Sequence, residues 1–397
     1  MKTTGVICEF NPFHNGHEYL LKKIRENGAG YVAVCMSGNF TQRGVPAIYD
    51  KYTRTKAALS GGADLVIELP VSFACAGAER FAYGGVSLLN SLGCLDEISF
   101  GSECADINAL KKLSEIDKDA DYSNKLREYL SEGMTFAAAR QAAAQELYGA
   151  ETAGVLSCPN DILAAEYLKA IKKLNSSLEP FPVKRIGAEH DSDKSSGNIA
   201  SAKHIRSLIY EGIFPEHFMP SYTQDLFAEC EDQPPRGGRL SKLEQAIMYR
   251  LRTMDRQEIA DLPEIREGLE NKLYSVIKNS TSLNEIITGT KSKRYTRARI
   301  VRIIMYAFLG IKKDELSDAP KYIRVLGFNS RGKEILRMAS ESAKLPIIMR
   351  YGDVRRLDDE ARRMYELESR CDDIYALSGQ NAGICGRNMT EKMIVMN

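Results

Sequence analysis

Two of the chain's five histidines fall within four positions, in the run Gly5-Val6-Ile7-Cys8-Glu9-Phe10-Asn11-Pro12-Phe13-His14-Asn15-Gly16-His17-Glu18-Tyr19-Leu20. Each imidazole can donate a hydrogen bond to a phosphate oxygen, and Gly16 between them leaves room for close approach to the backbone. A donor aimed at charge that grows in a transition state is worth about 2.7–4 kcal/mol of barrier in other enzymes. The chemistry within reach of such a turn is displacement at a nucleotide phosphorus. The plainer alternative is that both histidines satisfy local backbone groups. For a pair flanking a glycine we favour the phosphate.

Such a turn has to be positioned by a strand before it and a helix after it. Residues 5–10 form an apolar run that stops at Asn11-Pro12, the pattern of a buried parallel strand. Tyr19, Leu20, Leu21 and Ile24 recur at helical spacing, and Asn27-Gly28 is a stop. Asn15 with Glu18 has the spacing of a capping box, so Asn15 is the expected cap. The first N–H groups of that helix then face the turn, with a dipole that favours an anion.

Strand and helix go on alternating. Strands are expected at 31–36, 64–69, 97–100 and 182–186, and helices at 50–59, 79–92, 161–174 and 202–210. That alternation implies an α/β fold with an open parallel sheet flanked by helices, and ligands bind beyond the carboxyl ends of its strands. The positions at those ends are 11–17, 37–44, Gly101 to 103, and Arg185 with Ile186 onward. Pro220 and the run 234–238 mark a looser connection, after which the chain is mostly helical to 308, with a mixed segment at 322–350. The expected division is a nucleotide-binding catalytic domain at 1–218 and a mainly helical domain at 219–397.

Composition limits the alternatives. A net charge of +1 excludes a global field for nucleic acid, so any such contact needs a local patch. Nine cysteines without a Cys-x-x-Cys pair argue against structural zinc and a disulfide framework, and for a reducing compartment. The start lacks an apolar signal core, and the apolar stretch 303–311 is too short for a bilayer. The expectation is a soluble cytoplasmic protein with no membrane contact; no protein partner can be inferred.

Three further groups bear chemistry. In 199–206, Ser201, Lys203 and Arg206 at a helix start can grip outer phosphates, or serve as an ordinary cap and surface cations. Asn39, Thr41, Gln42 and Arg43 in a loop, with Arg54 and Lys56 on the next helix, suit a small carboxylate, a triphosphate or a solvated basic face. Lys291, Lys293, Arg294, Arg297, Arg299 and Arg302 form a run without an acid, and Tyr295 is interleaved. This run suits backbone phosphates and an unpaired base, or a solvated helix start. The cluster 350–363 is diluted by acids and reads as surface.

The turn at 5–17 and the start Ile199-Ala200-Ser201-Ala202-Lys203-His204-Ile205-Arg206 resemble the nucleotidyltransferase superfamily, with Ala200 in place of one serine. The resemblance is closer to the tRNA(Met) cytidine acetate ligases. It rests on residues 9–17, 36–44, Arg54-Thr55-Lys56, 64–70, Phe100-Gly101-Ser102-Glu103, Pro159-Asn160-Asp161-Ile162-Leu163 and 293–299. It implies a Rossmann-like sheet, and ATP contacts from 7–20, Gly101, Asn160, Arg185 and Ile186. It implies that acetate and ATP make acetyl-adenylate, with transfer to the wobble cytidine of elongator methionine tRNA. His14, His17, Ser201 and Arg206 would stabilise the leaving pyrophosphate, with Mg²⁺ carried on the phosphates. An adenylyltransferase for a phosphorylated cofactor precursor is the alternative, and it leaves the helical half without a use.

Overall fold

The computed structural model describes residues 1–186, 197–232 and 238–397. An eight-stranded sheet runs in the order β5-β4-β1-β2-β3-β6-β7, with β8 beside β6. The strands are β1 (Lys2–Cys8), β2 (Ala29–Ser37), β3 (Leu65–Leu69), β4 (Glu97–Ser102), β5 (Glu179–Lys184), β6 (Ile323–Phe328), β7 (Ile347–Ile348) and β8 (Ile394–Val395). All neighbours are parallel except β3 and β6. Helices α1 (Asn15–Glu26), α2 (Lys51–Ser60), α3 (Ala78–Ser91), α4 (Pro159–Lys173) and α5 (Ala202–Tyr210) follow the pattern read from the sequence. Asp50 caps α2 by accepting from Tyr52 N and Thr53 N.

β5 starts three residues earlier than expected and ends before Arg185. Pro180 and Pro182 are tolerated because β5 is an edge strand. Glu179 N donates to Asp96 O and Arg185 N to Ser102 O, so odd positions face β4 and both prolines turn their missing donors outward. Past 219, the sheet gains β6, whose Arg324 stands opposite Glu68 of β3. Residues 240–311 build a second apolar core around Ile247, Leu273, Ile286, Ile300 and Ile304, completed by Phe40, Val71 and Cys75 from the first part. One helix of this region matters below, α6 (Arg297–Leu309). Within the proline-marked connection, 233–237 lie outside the described residues, as do 187–196 beyond Ile186.

No helix among the described residues is long and apolar enough to cross a membrane. The eight cysteines whose side chains are described are free thiols.

Candidate active site

A cleft of about 330 Å³ opens at the carboxyl ends of β1, β2, β4 and β5. Of the expected site residues, Ile7, Cys8, Glu9, Phe10, Asn11, His14, Gly16, His17, Tyr19 and Leu20 line it, with Gly101, Asn160, Arg185, Ile186, Ser201 and Arg206. Pro12, Phe13, Asn15 and Glu18 do not. Phe13 is core, its ring pressed on Gly61, where a Cβ would come within 2.3 Å. Asn15 Nδ2 donates to Asn198 O (2.7 Å) and His217 O (3.2 Å), and Glu18 accepts from Tyr222 Oη (2.9 Å). Helical periodicity places 14 and 17 on one face and turns 15 and 18 away from it.

The expected cap is also corrected. His14, not Asn15, is the N-cap of α1, and its Nδ1 accepts from Gly16 N at 3.1 Å. Gly16 has to be bare, because a Cβ there would lie 2.9 Å from the His14 ring. The amides of His17 and Glu18 both bond His14 O. An anion at this turn therefore meets imidazole donors and the helix dipole rather than a row of free amides. With Nδ1 accepting, the His14 proton sits on Nε2. The two rings stack at 3.7 Å between centroids, and His17 Nδ1 is buried without a partner among the described residues.

Burial, then Arg185 and Arg206, hold His14 down to about 3; burial, His14 and Arg185 hold His17 well below its ordinary value. Both are neutral donors at physiological pH. The unfolded chain protonates His14 near 6.5 and the folded one only near 3. Between those values the unfolded state binds the extra proton, so stability falls as pH falls through that window. The melting temperature of the protein should therefore drop more steeply from pH 7 to pH 5 than that of His14→Asn. Parallel curves by calorimetry would mean that the ring accepts a proton inside the fold.

The opposite wall comes from distant segments. Ser201 caps α5 by accepting from His204 N at 3.1 Å. Arg206 Nη1 donates to Asn11 O at 2.7 Å, across 195 positions of chain, which brings the two phosphate-type motifs together. Asn160 stands in the first turn of α4 and donates to Glu103 Oε1 (2.5 Å), while Glu103 Oε2 accepts from Asp161 N (3.0 Å). Asp161 in return accepts from Glu103 N at 2.8 Å. Gly101 lets Arg185 lie across it, since a Cβ there would be 3.3 Å from Arg185 Cγ. Phe81, Phe100, Leu163, Tyr167 and Val183 supply an apolar wall that sequence reasoning missed. Such positions look like ordinary core in a sequence.

The loop after β2 divides in use. Thr41, Gln42 and Arg43 line the cleft. Asn39 is buried and spent on Asp372 Oδ1 (2.9 Å) and Lys51 N (2.7 Å). Arg54 is fully buried and donates to Tyr49 O (2.9 Å), Glu9 O (2.7 Å), Ser37 O (3.0 Å) and Gly38 O. It braces the ends of β1 and β2 and is closed to a ligand; Lys56 is exposed outside the cleft.

Comparison with known proteins adds the remaining observation. The HIGH Nucleotidyl Transferase family model matches residues 1–388. A tRNA(Met) cytidine acetate ligase of Thermoanaerobacter sp. is 41% identical over 99% of this chain and 100% of its own. One from Acetivibrio thermocellus is 36% identical, with both chains covered completely. The chain belongs to the tRNA(Met) cytidine acetate ligase family. Crystal structures of Thermotoga maritima TmcAL, apo and bound with alpha-thio ATP, superpose with TM-scores of 0.92 and 0.90 at 30% identity over the whole of both chains.

In this member of the ligase family, the basic run at 291–299 is only partly open. Lys291, Arg294 and Arg297 are exposed; Arg294 pairs with Glu267 (2.9 Å) at 79% exposure. Lys293, also exposed, reaches Gly133 O at 3.1 Å. Arg299 donates to Glu264 O (2.6 Å), and Arg302 grips the Glu264 carboxylate at 2.8 and 2.7 Å. Tyr295 corrects the expectation of base stacking. It is 8% exposed, its hydroxyl donates to Arg266 O (2.7 Å), and the Arg299 guanidinium covers its ring.

Proposed function

We propose that this protein uses ATP to activate acetate as acetyl-adenylate and passes the acetyl group to N4 of the wobble cytidine in elongator methionine tRNA. The products are N(4)-acetylcytidine, AMP and pyrophosphate. The observation that carries this reading is a cleft lined by His14, His17, Ser201 and Arg206 in a chain that matches the ligases from end to end. Acetate is a poor acyl donor because its leaving group would be oxide, and the cytosine amine is a weak nucleophile. Joining AMP to the carboxylate supplies a stabilised leaving group.

In the first step an acetate oxygen attacks the α-phosphorus and charge grows on the pyrophosphate. Neutral imidazole N–H groups, the N-termini of α1 and α5, and Arg206 face that charge. The described lining of the cleft holds one carboxylate, Glu9, which is too few for a protein-built magnesium cage. Mg²⁺ fits on the phosphates, where it would offset their charge. In the second step the base must be presented unpaired, as in an anticodon loop. The helical part with its exposed Lys291, Arg294 and Arg297 is the surface we assign to the tRNA.

Mass spectrometry of tRNA nucleosides after incubation with ATP and isotopically labelled acetate tests the reading. Labelled N(4)-acetylcytidine is expected in methionine tRNA; its absence refutes the assignment. Arg294→Ala with Arg297→Ala should reduce the slope of log affinity for tRNA against log salt by about 2 in magnitude, one per lost phosphate contact. An unchanged slope, measured by filter binding, would place the tRNA elsewhere.

A further inference from the structure

Glu9 is the one carboxylate among the described residues lining the cleft. An anion in a pocket built for a triphosphate and an acetate repels both ligands, so its presence needs a reason beyond packing. Its position is held: Oε1 accepts from Gln42 N at 2.7 Å, which leaves the rest of the carboxylate to the cleft. Its backbone is tied down as well, since Arg54 Nη1 donates to Glu9 O at 2.7 Å, so Glu9 is anchored to the loop and helix that follow β2. Two residues beyond Gln42, Gly44 lies against α6, where a Cβ would be 3.0 Å from Arg302 Cα. The same helix carries the exposed Arg297. Glu9 therefore occupies the side of the cleft that faces the basic helix.

Acetyl transfer needs a proton acceptor. The imidazoles are held neutral and are poor bases, His14 at about 3. The other charged groups on the wall are arginines and lysines.

We propose that Glu9 accepts the proton of the cytosine amine during acetyl transfer. The amine nitrogen forms its bond to the acetyl carbon, the carbon–oxygen bond to AMP breaks with the electron pair leaving on phosphate, and the N4 proton passes to the Glu9 carboxylate. The step rests on the acetyl-adenylate reading above.

Supplying synthetic acetyl-adenylate with elongator methionine tRNA isolates it. Glu9→Gln keeps an acceptor oxygen for Gln42 N–H. Its transfer rate at saturating tRNA should fall by about 10²–10⁴-fold, at least tenfold more than its pyrophosphate release from ATP and acetate. Equal losses in both steps, or recovery at raised Mg²⁺, would overturn the assignment in favour of a nucleotide or metal contact. The transfer rate of the unmodified enzyme should decline toward acid pH while that of the variant stays flat. The titratable groups on which the Glu9 charge acts, Cys8, Arg54, Cys75 and Tyr167, and the Arg43 beside Gln42 on the cleft wall, are common to both proteins. A flat profile in the unmodified enzyme refutes the proposal even should the variant fail to fold. If the unmodified enzyme does not acetylate tRNA from acetyl-adenylate, the fault lies with the intermediate and not with Glu9.

Discussion

Replacing His17 by alanine should lower the rate of acetate-dependent pyrophosphate release by about 10²–10³-fold, the loss found when one preorganised donor is removed from a site of growing charge. The imidazole is half-buried with its Nδ1 enclosed, stacked on His14 and in contact with the rings of Phe10 and Phe13, so its direction is set before substrate arrives. Burial and its neighbours keep it uncharged, and its N–H is offered without a proton first having to bind. The effect should appear in kcat more than in the KM for ATP, because the interaction strengthens as the pyrophosphate leaves. A variant with unchanged turnover and a raised KM would make His17 a ground-state contact only. The acid limb of the rate should likewise show no histidine titration between pH 6 and 8.

Replacing Lys51 by methionine should cost about 3–5 kcal/mol of stability, the penalty for stripping one partner from a buried ion pair. Lys51 is fully buried, with Nζ 2.7 Å from Glu68 Oε1 and 3.0 Å from Asn388 Oδ1. Asp372 Oδ2 lies 2.7 Å away as an ion pair without hydrogen-bond alignment. A third carboxyl, Glu368, accepts from Val71 N at 2.6 Å. Burial and the charge of Glu68 push Glu368 well up; burial raises Asp372 to about 6 against the pull of Lys51. Without the ammonium, Glu68 and Asp372 face each other uncompensated. Asp372 can relieve this by binding a proton, so the stability gap between protein and variant should narrow from pH 8 to pH 5. Guanidinium unfolding measures both. A gap below about 1 kcal/mol at pH 7 would show that water reaches the cluster. Asp372 also accepts from Asn39 Nδ2 at 2.9 Å, at the root of the loop that carries Gln42 and Arg43, so the uncompensated carboxylate should loosen the cleft as well.

These two sites differ in how they could be read. His14-x-Gly-His17 announces itself, because a strand, a turn and a helix are written in consecutive residues. Ser201 as a cap was legible for the same reason, as was the helix behind it. Asn15 misled, because its side chain is a usual cap and the Nδ1 of His14, which takes that place, is a rarer one. Arg54 looked like a ligand for an anion, and burial made it a brace for four carbonyls. Tyr295 among basic residues looked open to a base, and nothing in the run announces that its hydroxyl would reach back to Arg266 O.

Torsion preferences, caps and apolar spacing act between residues a few positions apart, so the sequence by itself determined the strands, the helices and the chemistry of the histidine turn. Burial and charge compensation act through space. Only the tertiary structure decided that Arg206 would meet Asn11, that β6 would extend the sheet, and that Lys51 would find Asp372 more than three hundred residues away. The ionic state of each group follows from those distant neighbours, because a charge removed from water takes its energy from whichever partners the fold places beside it.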